Sequence, residues 1–405
     1  MKKVELLSPA GSLEKLKTAI IYGADAVYMG GNAFSLRALG KNFTADEMKE
    51  GVAFAHSRGK KAYVTVNIYP HNEDLKGLAD YLKFLEEIKA DAILVSDLGI
   101  FYEAKKIAPK LPVHISTQAN ITNYAAANAW GDMGAERVVL ARELSLNEIK
   151  EIREKTNIAL EIFVHGAMCV SMSGRCLISS YLTGRDSNRG NCAQPCRWNY
   201  ELVEKNSSCE SFPVTEDERG TYFFNSKDLC LLPYIKEVIE SGAASLKIEG
   251  RMKSANYVAT VTRAYRKAID AYYENPENFT VKDEWLKEVE KVSHRPYWSG
   301  FFKGGGKTGG EIYTTSSYEQ SAEFLGVAVS YDKESKRATI EQRGRLEIGE
   351  TIEIMQPKGE IFSCAAKDLR NADGEQIENT PHPKEIFSFY SEREIEPYSI
   401  IRRIK

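Results

Sequence analysis

The 405-residue sequence contains no run approaching the roughly 18 consecutive apolar residues that a membrane span requires. Met1, Lys2 and Lys3 lead straight into a strand-like segment instead of the apolar stretch of a secretion signal. The expectation is a soluble, cytoplasmic protein with no membrane partner. A positive excess is also lacking: a net charge of -3 denies the molecule a general basic field, so any nucleic-acid binding must come from local clusters. Seven cysteines, an odd number without a secretion signal, argue against a disulfide framework and for metal or redox chemistry. Three catalytic patterns are missing as well. There is no G-x-S-x-G elbow and no H-E-x-x-H helix, and no dinucleotide-type glycine fingerprint follows the first strand-like run.

What is present is an alternation that repeats eight times. Short runs rich in β-branched residues read as strands: VELLSP, AVYMG, AYVTVN, AILVSD, VHIST, RVVLA, LEIFVHG and SLKIEG. Helical spacing fills the gaps, with Leu13, Leu16 and Ile20 on one stripe and Met48, Val52 and Ala55 on another. Thr44 with Glu47, and Ser145 with Glu148, have the capping-box spacing that satisfies the orphan amides of a helix start. Continuously apolar strands suit a parallel sheet covered on its outer face. Eight such units predict an α/β fold of the TIM-type (β/α)8 barrel class. The expected layout is a barrel over residues 1–305 with an insertion at 167–225, a glycine-rich linker at 306–320, and a second domain at 321–405.

Barrel enzymes place their chemistry at the carboxyl ends of the strands. The strand-like runs here end in polar groups that an inert core would not select: Tyr28, Asn67, Asp97, Gln118, Asn120, Arg142, Glu143, His165, Glu249 and Arg251. His165 and Glu249 are the candidates for moving protons, with His165, a few residues before Cys169, alternatively a cofactor neighbour. Arg142, Lys247 and Arg251 are the candidates for holding an anionic substrate, with ion pairing to Glu143 or Glu249 as the alternative role. Tyr28, Asn67, Gln118 and Asn120 complete the expected substrate-binding ring.

Between the seventh and eighth runs the rhythm breaks, and tens of residues intervene where a βα loop takes about 2–6. Four cysteines lie there: Cys169, Cys176, Cys192 and Cys196. Thiolates so grouped select zinc, copper(I) or iron–sulfur over hard cations. Only Cys192 and Cys196 approach the tight spacing of a zinc knuckle, so an iron–sulfur cradle is the better match and zinc stays open. Cys209, Cys230 and Cys364 read as buried or incidental thiols, with Cys230 the replacement should Cys196 not be a ligand.

The run EIFVHGAMCVSMSGRCLIS, together with ELLSPAG, GADAVYMG, STQAN and SLKIEGRMKSANYV, resembles the collagenase-like peptidase family U32 along almost the whole barrel. Within that family, GNCAQPCRWNY and NSKDL are most similar to the subgroup that hydroxylates the wobble uridine of tRNA at carbon five. The resemblance implies a prephenate-dependent reaction and a 4Fe-4S cluster, with Cys169, Cys176, Cys192 and Cys196 matching the subgroup's cysteines. It also turns Arg175, Arg185, Arg189, Arg197 and Trp198 into an expected tRNA contact, where positive charge and a stacking ring lie near the cluster. A peptidase, a hydroxylase of another small substrate, and an accessory cluster protein working with a paralogous partner are the alternatives.

Beyond the glycine-rich stretch the character changes. FLGVAVSY, RATIEQ, TIEIM and EIFSCA are short β-type runs separated by turn residues, and a small β-barrel is the closure that hides their edges. The final Ile400–Lys405 stretch adds charge but no assignable element.

Overall fold

The computed structural model describes residues 3–35, 42–168, 178–183, 185, 193, 195, 215–217, 220–222, 227–304 and 319–405. Seven parallel strands come first: β1 (Glu5–Pro9), β2 (Ala26–Met29), β3 (Lys61–Val66), β4 (Ala92–Val95), β5 (Val113–Ile115), β6 (Arg137–Val139) and β7 (Ala159–Ala167). Two three-residue strands, β8 (Thr215–Asp217) and β9 (Gly220–Tyr222), form an antiparallel hairpin in the insertion. Next come β10 (Asp228–Cys230) and β11 (Ser245–Ile248). β11 pairs in parallel with both β1 and β7, and this closes the predicted eight-stranded barrel.

The helices lie between these strands. α1 (Leu13–Ile21) is capped by Ser12, whose side chain accepts from Lys15 N, and it buries Leu16 and Ile20. α2 (Ala45–His56) buries Met48, Val52 and Ala55. Both expected capping boxes form, Thr44 with Glu47 on α2 and Ser145 with Glu148 on α6 (Leu146–Lys155). α3 (Leu78–Glu87), α4 (Leu98–Ile107), α5 (Tyr124–Asp132), the insertion helix α7 (Ile178–Thr183) and α8 (Ile235–Glu240) continue the series. α9 (Ala255–Glu274) is the longest, and α10 (Asp283–Val289) packs on it. Among the described residues, no helix is long and apolar enough to cross a membrane.

Two features depart from the regular barrel. β10 runs antiparallel to the end of β7, with Asp228 opposite Ala167 and Cys230 opposite His165. β12 (Tyr297–Trp298) then pairs with β10. The short NSKDLC stretch has no clear period of its own, so this rim extension was illegible in the sequence.

The second domain is a seven-stranded antiparallel half-barrel: β13 (Ala322–Asp332), β14 (Arg337–Gln342), β15 (Thr351–Met355), β16 (Ile361–Ala365), β17 (Lys367–Arg370), β18 (Ile386–Tyr390) and β19 (Ile400–Ile404). Four of these match the expected runs. β19 corrects the expectation for the chain's last residues, because it lies between β13 and β15 in the sheet. Its Arg402 is fully buried and donates to Glu288 Oε1 of α10 at 2.5 Å and to Glu353 Oε1 of β15 at 2.6 Å. Tyr22, at the end of α1, donates to the carbonyls of Met355 and Tyr398, and a small apolar cluster of Ala259, Val327, Met355 and Ile400 surrounds it. The half-barrel is therefore fixed to the outside of α1, α9 and α10.

Removing Arg402 would leave Glu288 and Glu353, both nearly out of water, with Lys291 as their remaining cation. Arg402→Ala should lower the unfolding free energy by about 3 kcal/mol in urea titrations, the low end for breaking a buried pair because Lys291 stays. A loss under about 1 kcal/mol would show that this pair does not carry the interface.

Candidate functional site

The barrel interior is ionic where aliphatic layers are usual. Arg137 Nη1 donates to Glu5 Oε1 at 2.6 Å and to Glu161 Oε2 at 3.0 Å, and Lys247 Nζ donates to Glu161 Oε1 at 2.8 Å. Tyr63 and Ser245 donate to the two oxygens of Glu5 at 2.7 and 2.9 Å. Side chains from β1, β3, β6, β7 and β11 can meet only inside the cylinder, so this network is the floor beneath the mouth. Burial opposes ionisation of Glu161, but Lys247 and Arg137 outweigh it and hold the carboxyl below its ordinary range. Burial likewise lowers Lys247, and the attraction of Glu161 offsets only part of that. Lys247 is thus a committed floor residue. Its ammonium, expected as a cationic substrate partner, is buried and bonded to Glu161, a residue the sequence reading passed over.

Above the floor, the strand-end residues make bonds that give several of them structural partners. Tyr28 OH lies 2.9 Å from Ile248 O and 3.1 Å from Glu249 Oε2. Asn67 Nδ2 donates to Gln118 Oε1 at 2.7 Å, and Ser116 Oγ donates to the same oxygen at 3.1 Å. Asn120 ends a short 3-10 turn in the left-handed region, φ 54°, and its Oδ1 has no partner. Asp97 caps α4 by accepting from Ile100 N. Arg251 is buried, and its Nη1 donates to Ser35 Oγ and Thr65 Oγ1 at 3.0 Å each. It ties the β2–α2 loop to the wall, a role the sequence did not suggest.

Arg142 differs from the other two cations. Half-buried, it lies 3.8 Å over the Phe163 ring and donates through Nη1 to Ala167 O at 2.6 Å, while its Nε is without a partner. This guanidinium holds the end of β7 through Nη1 while its Nε keeps an unused donor.

His165 is enclosed at the end of β7. It is 1% exposed and packs against Tyr257 and Tyr265 of α9 and Tyr297 of β12. Burial pushes its pKa down to about 3, so the ring is neutral at physiological pH. Tyr265 and Tyr297 hydroxyls sit 3.4 Å from its two ring nitrogens. Alternation along β7 would have aimed this ring at the mouth, but Gly166 at φ 107° and the register shift beside Lys247 break that alternation. Asp228, buried with Oδ1 unpartnered, joins the same region from β10 and was also missed.

Cys169, Cys176, Cys192, Cys196, Arg175, Arg189, Arg197 and Trp198 lie outside the described residues. Arg185 is described: it is half-buried and follows α7, and its amide donates to Thr183 Oγ1 at 3.2 Å. Among the described residues, no group of three or more His, Cys, Asp or Glu side chains is placed to hold a metal. Ala193 N donates to Ser179 Oγ at 2.9 Å, which joins the neighbour of Cys192 to a residue three positions past Cys176.

The floor makes a pH prediction. Glu161 has a depressed pKa in the folded chain against about 4.3 when unfolded, so its contribution is complete above that unfolded value and fades as pH falls through the folded one. Urea stability measured from pH 7 to pH 3 should fall less steeply in Glu161→Gln than in the wild type, from a lower value at pH 7. Equal slopes would contradict an ionised Glu161.

Residues 11–311 match the sequence model of peptidase family U32, and residues 320–402 match that of the U32 C-terminal domain. The "tRNA hydroxylation protein P1" of Bacillus subtilis (strain 168) is 42% identical over 404 residues, covering 100% of this chain and 96% of its own length. The "tRNA hydroxylation protein P" of Helicobacter pylori (strain ATCC 700392 / 26695) is 47% identical over 307 residues, 74% of this chain and 72% of that protein. A protein named "Collagenase" from Porphyromonas gingivalis (strain ATCC BAA-308 / W83) is 31% identical over 382 residues, 90% of each chain. With both folded parts matched and one relative aligned end to end, the chain belongs to peptidase family U32.

Proposed function

We propose that this protein is a tRNA-modifying enzyme that hydroxylates the wobble uridine at carbon five, with prephenate as cosubstrate and a 4Fe-4S cluster as cofactor. The observation that carries the reading is the end-to-end similarity to a tRNA hydroxylation protein. A hydroxylation at a ring carbon is redox work outside the reach of side chains, and the cluster is what supplies it when bound. The donor set fits that group by its chemistry: four cysteines lie between positions 169 and 196 of the sequence. Zinc would take the same thiolates but would not supply electrons. Cys230 competes with Cys196 for the fourth place, since its partner in register, His165, stands four residues before Cys169.

The chain's own groups then have separable tasks. Arg142 offers its unused Nε–H to a carboxylate of prephenate, with Phe163 behind it excluding water. Glu249, half-buried and close to Tyr28, handles a proton at the mouth. Asn67 after β3, and Gln118 and Asn120 after β5, complete the substrate wall beside the β6 end. The arginines of the insertion, Arg175, Arg185, Arg189 and Arg197, attract the tRNA backbone, and Trp198 stacks on an extruded base. A paralogous family member acting as partner is compatible with this division, and the site sits in a cytoplasmic, tRNA-facing protein.

The collagenase-like relative favours a peptidase as the second reading. The described residues that come nearest to a nucleophile–base pair are Cys230 and His165, in register on β10 and β7. Both are buried, and the thiol bonds Tyr265 instead of the imidazole, so a polypeptide has no access to them.

Three measurements test the proposal. tRNA from a deletion strain should lack 5-hydroxyuridine and its derivatives, and unchanged nucleosides would reject the function. Anaerobically purified protein should carry about four irons per chain, with Cys169→Ala, Cys176→Ala and Cys192→Ala losing them. Whichever of Cys196→Ala and Cys230→Ala also loses them identifies the fourth ligand. Arg142→Ala should reduce kcat/KM for prephenate by about 10- to 100-fold, the loss expected for a charge-assisted contact.

A further inference from the structure

The last residues of β7 are held from two sides by residues of the mouth. On one side Arg142 Nη1 donates to Ala167 O at 2.6 Å. On the other, Glu249 N donates to His165 O at 2.8 Å, and Tyr257 OH donates to Glu249 O at 2.9 Å. Gly166 sits between these anchors at φ 107°, where a Cβ would lie 2.6 Å from Glu249 O. The two backbones are in contact there, so β7 cannot move independently of β11. Ala167 is also two residues before Cys169 in the chain.

Arg142 is the anchor with a second use available. Its N–H groups are locked in one plane by the guanidinium, and that plane rests on Phe163 at 3.8 Å. Nη1 holds Ala167 O, while Nε is buried and has no partner. An anion drawn to the Nε edge cannot reorient the group without moving the N–H that holds the strand end.

We infer that Arg142 is a positioning residue that transmits occupancy of the mouth by a carboxylate ligand to the end of β7, and so to the point where the chain departs toward its cysteines. The ligand half of this inference rests on the proposed cosubstrate reading; the anchoring half does not. The role differs from simple anion binding because it needs a rigid fork that makes both contacts at once. Lysine keeps the charge and can bond one carbonyl, but it cannot hold strand and ligand in a fixed relation.

Hydrogen–deuterium exchange of the full chain, purified anaerobically, separates the two halves through the peptide spanning residues 164–179. Without ligand, Arg142→Ala should exchange about fivefold faster in this peptide than the wild type, the effect of one lost hydrogen bond, whereas Arg142→Lys should stay near the wild-type rate. With saturating prephenate, the wild type should slow further and Arg142→Lys should not, even at concentrations that restore its binding by calorimetry. Wild-type exchange in ligand-free Arg142→Ala overturns the anchor. A Lys variant that responds to prephenate as the wild type does overturns the transmission, as does a wild type that binds prephenate with no change in this peptide. If calorimetry shows no prephenate binding to the wild type, the cosubstrate reading fails and transmission fails with it, while the ligand-free comparison still decides the anchor.

Discussion

The buried bond between Lys247 and Glu161 joins the two strands whose pairing closes the cylinder. Glu161 is shared with Arg137, and Arg137 is shared with Glu5, so β1, β6, β7 and β11 are laced through one charge-balanced set of two carboxylates and two cations. Such a set is expensive to desolvate, and aliphatic residues of the same volume would often be at least as stable. What it adds is directionality. Each bond is met only in one register, and a slip of one strand would leave charges buried without partners.

That closed floor leaves a mouth whose walls are braced by residues of a kind usually assigned to substrates. Arg251 ties the β2–α2 loop to Thr65, and Arg142 ties the end of β7. Both are polar residues at strand ends, where a barrel enzyme keeps its chemistry. One spends its Nη1 on the wall it supports, and the other retains an Nε without a partner. The difference between a brace and a binding group is therefore a matter of which N–H groups the protein has already used, and residue type is silent on that.

The second domain follows the same logic on the outside of the barrel. Arg402, Glu288 and Glu353 form a buried ionic contact across the interface, reinforced by Lys291, which reaches Glu353 at 2.9 Å. Tyr22 spends its hydroxyl on two carbonyls of the half-barrel. Bonds of this kind hold the domain in one orientation against the barrel.

The barrel was legible because its signals are local and repeated: apolar strand runs, capping boxes at Thr44 and Ser145, and helical stripes such as Leu16 with Ile20. The ring of strand-end residues was legible as well, since the end of a parallel strand in a barrel has only one place to be. The partners were not. Lys247 meets Glu161 across 86 positions and Arg402 meets Glu288 across 114, distances over which no periodicity carries information. His165 illustrates the limit: alternation along β7 aims it at the mouth, but a left-handed glycine and a shifted register place it among tyrosines instead. Sequence alone determined the architecture and the ring of candidates, because both follow from short-range geometry. Tertiary structure alone decided which cations are already spent and which imidazole is enclosed, because those outcomes depend on neighbours that the chain brings together only when it closes.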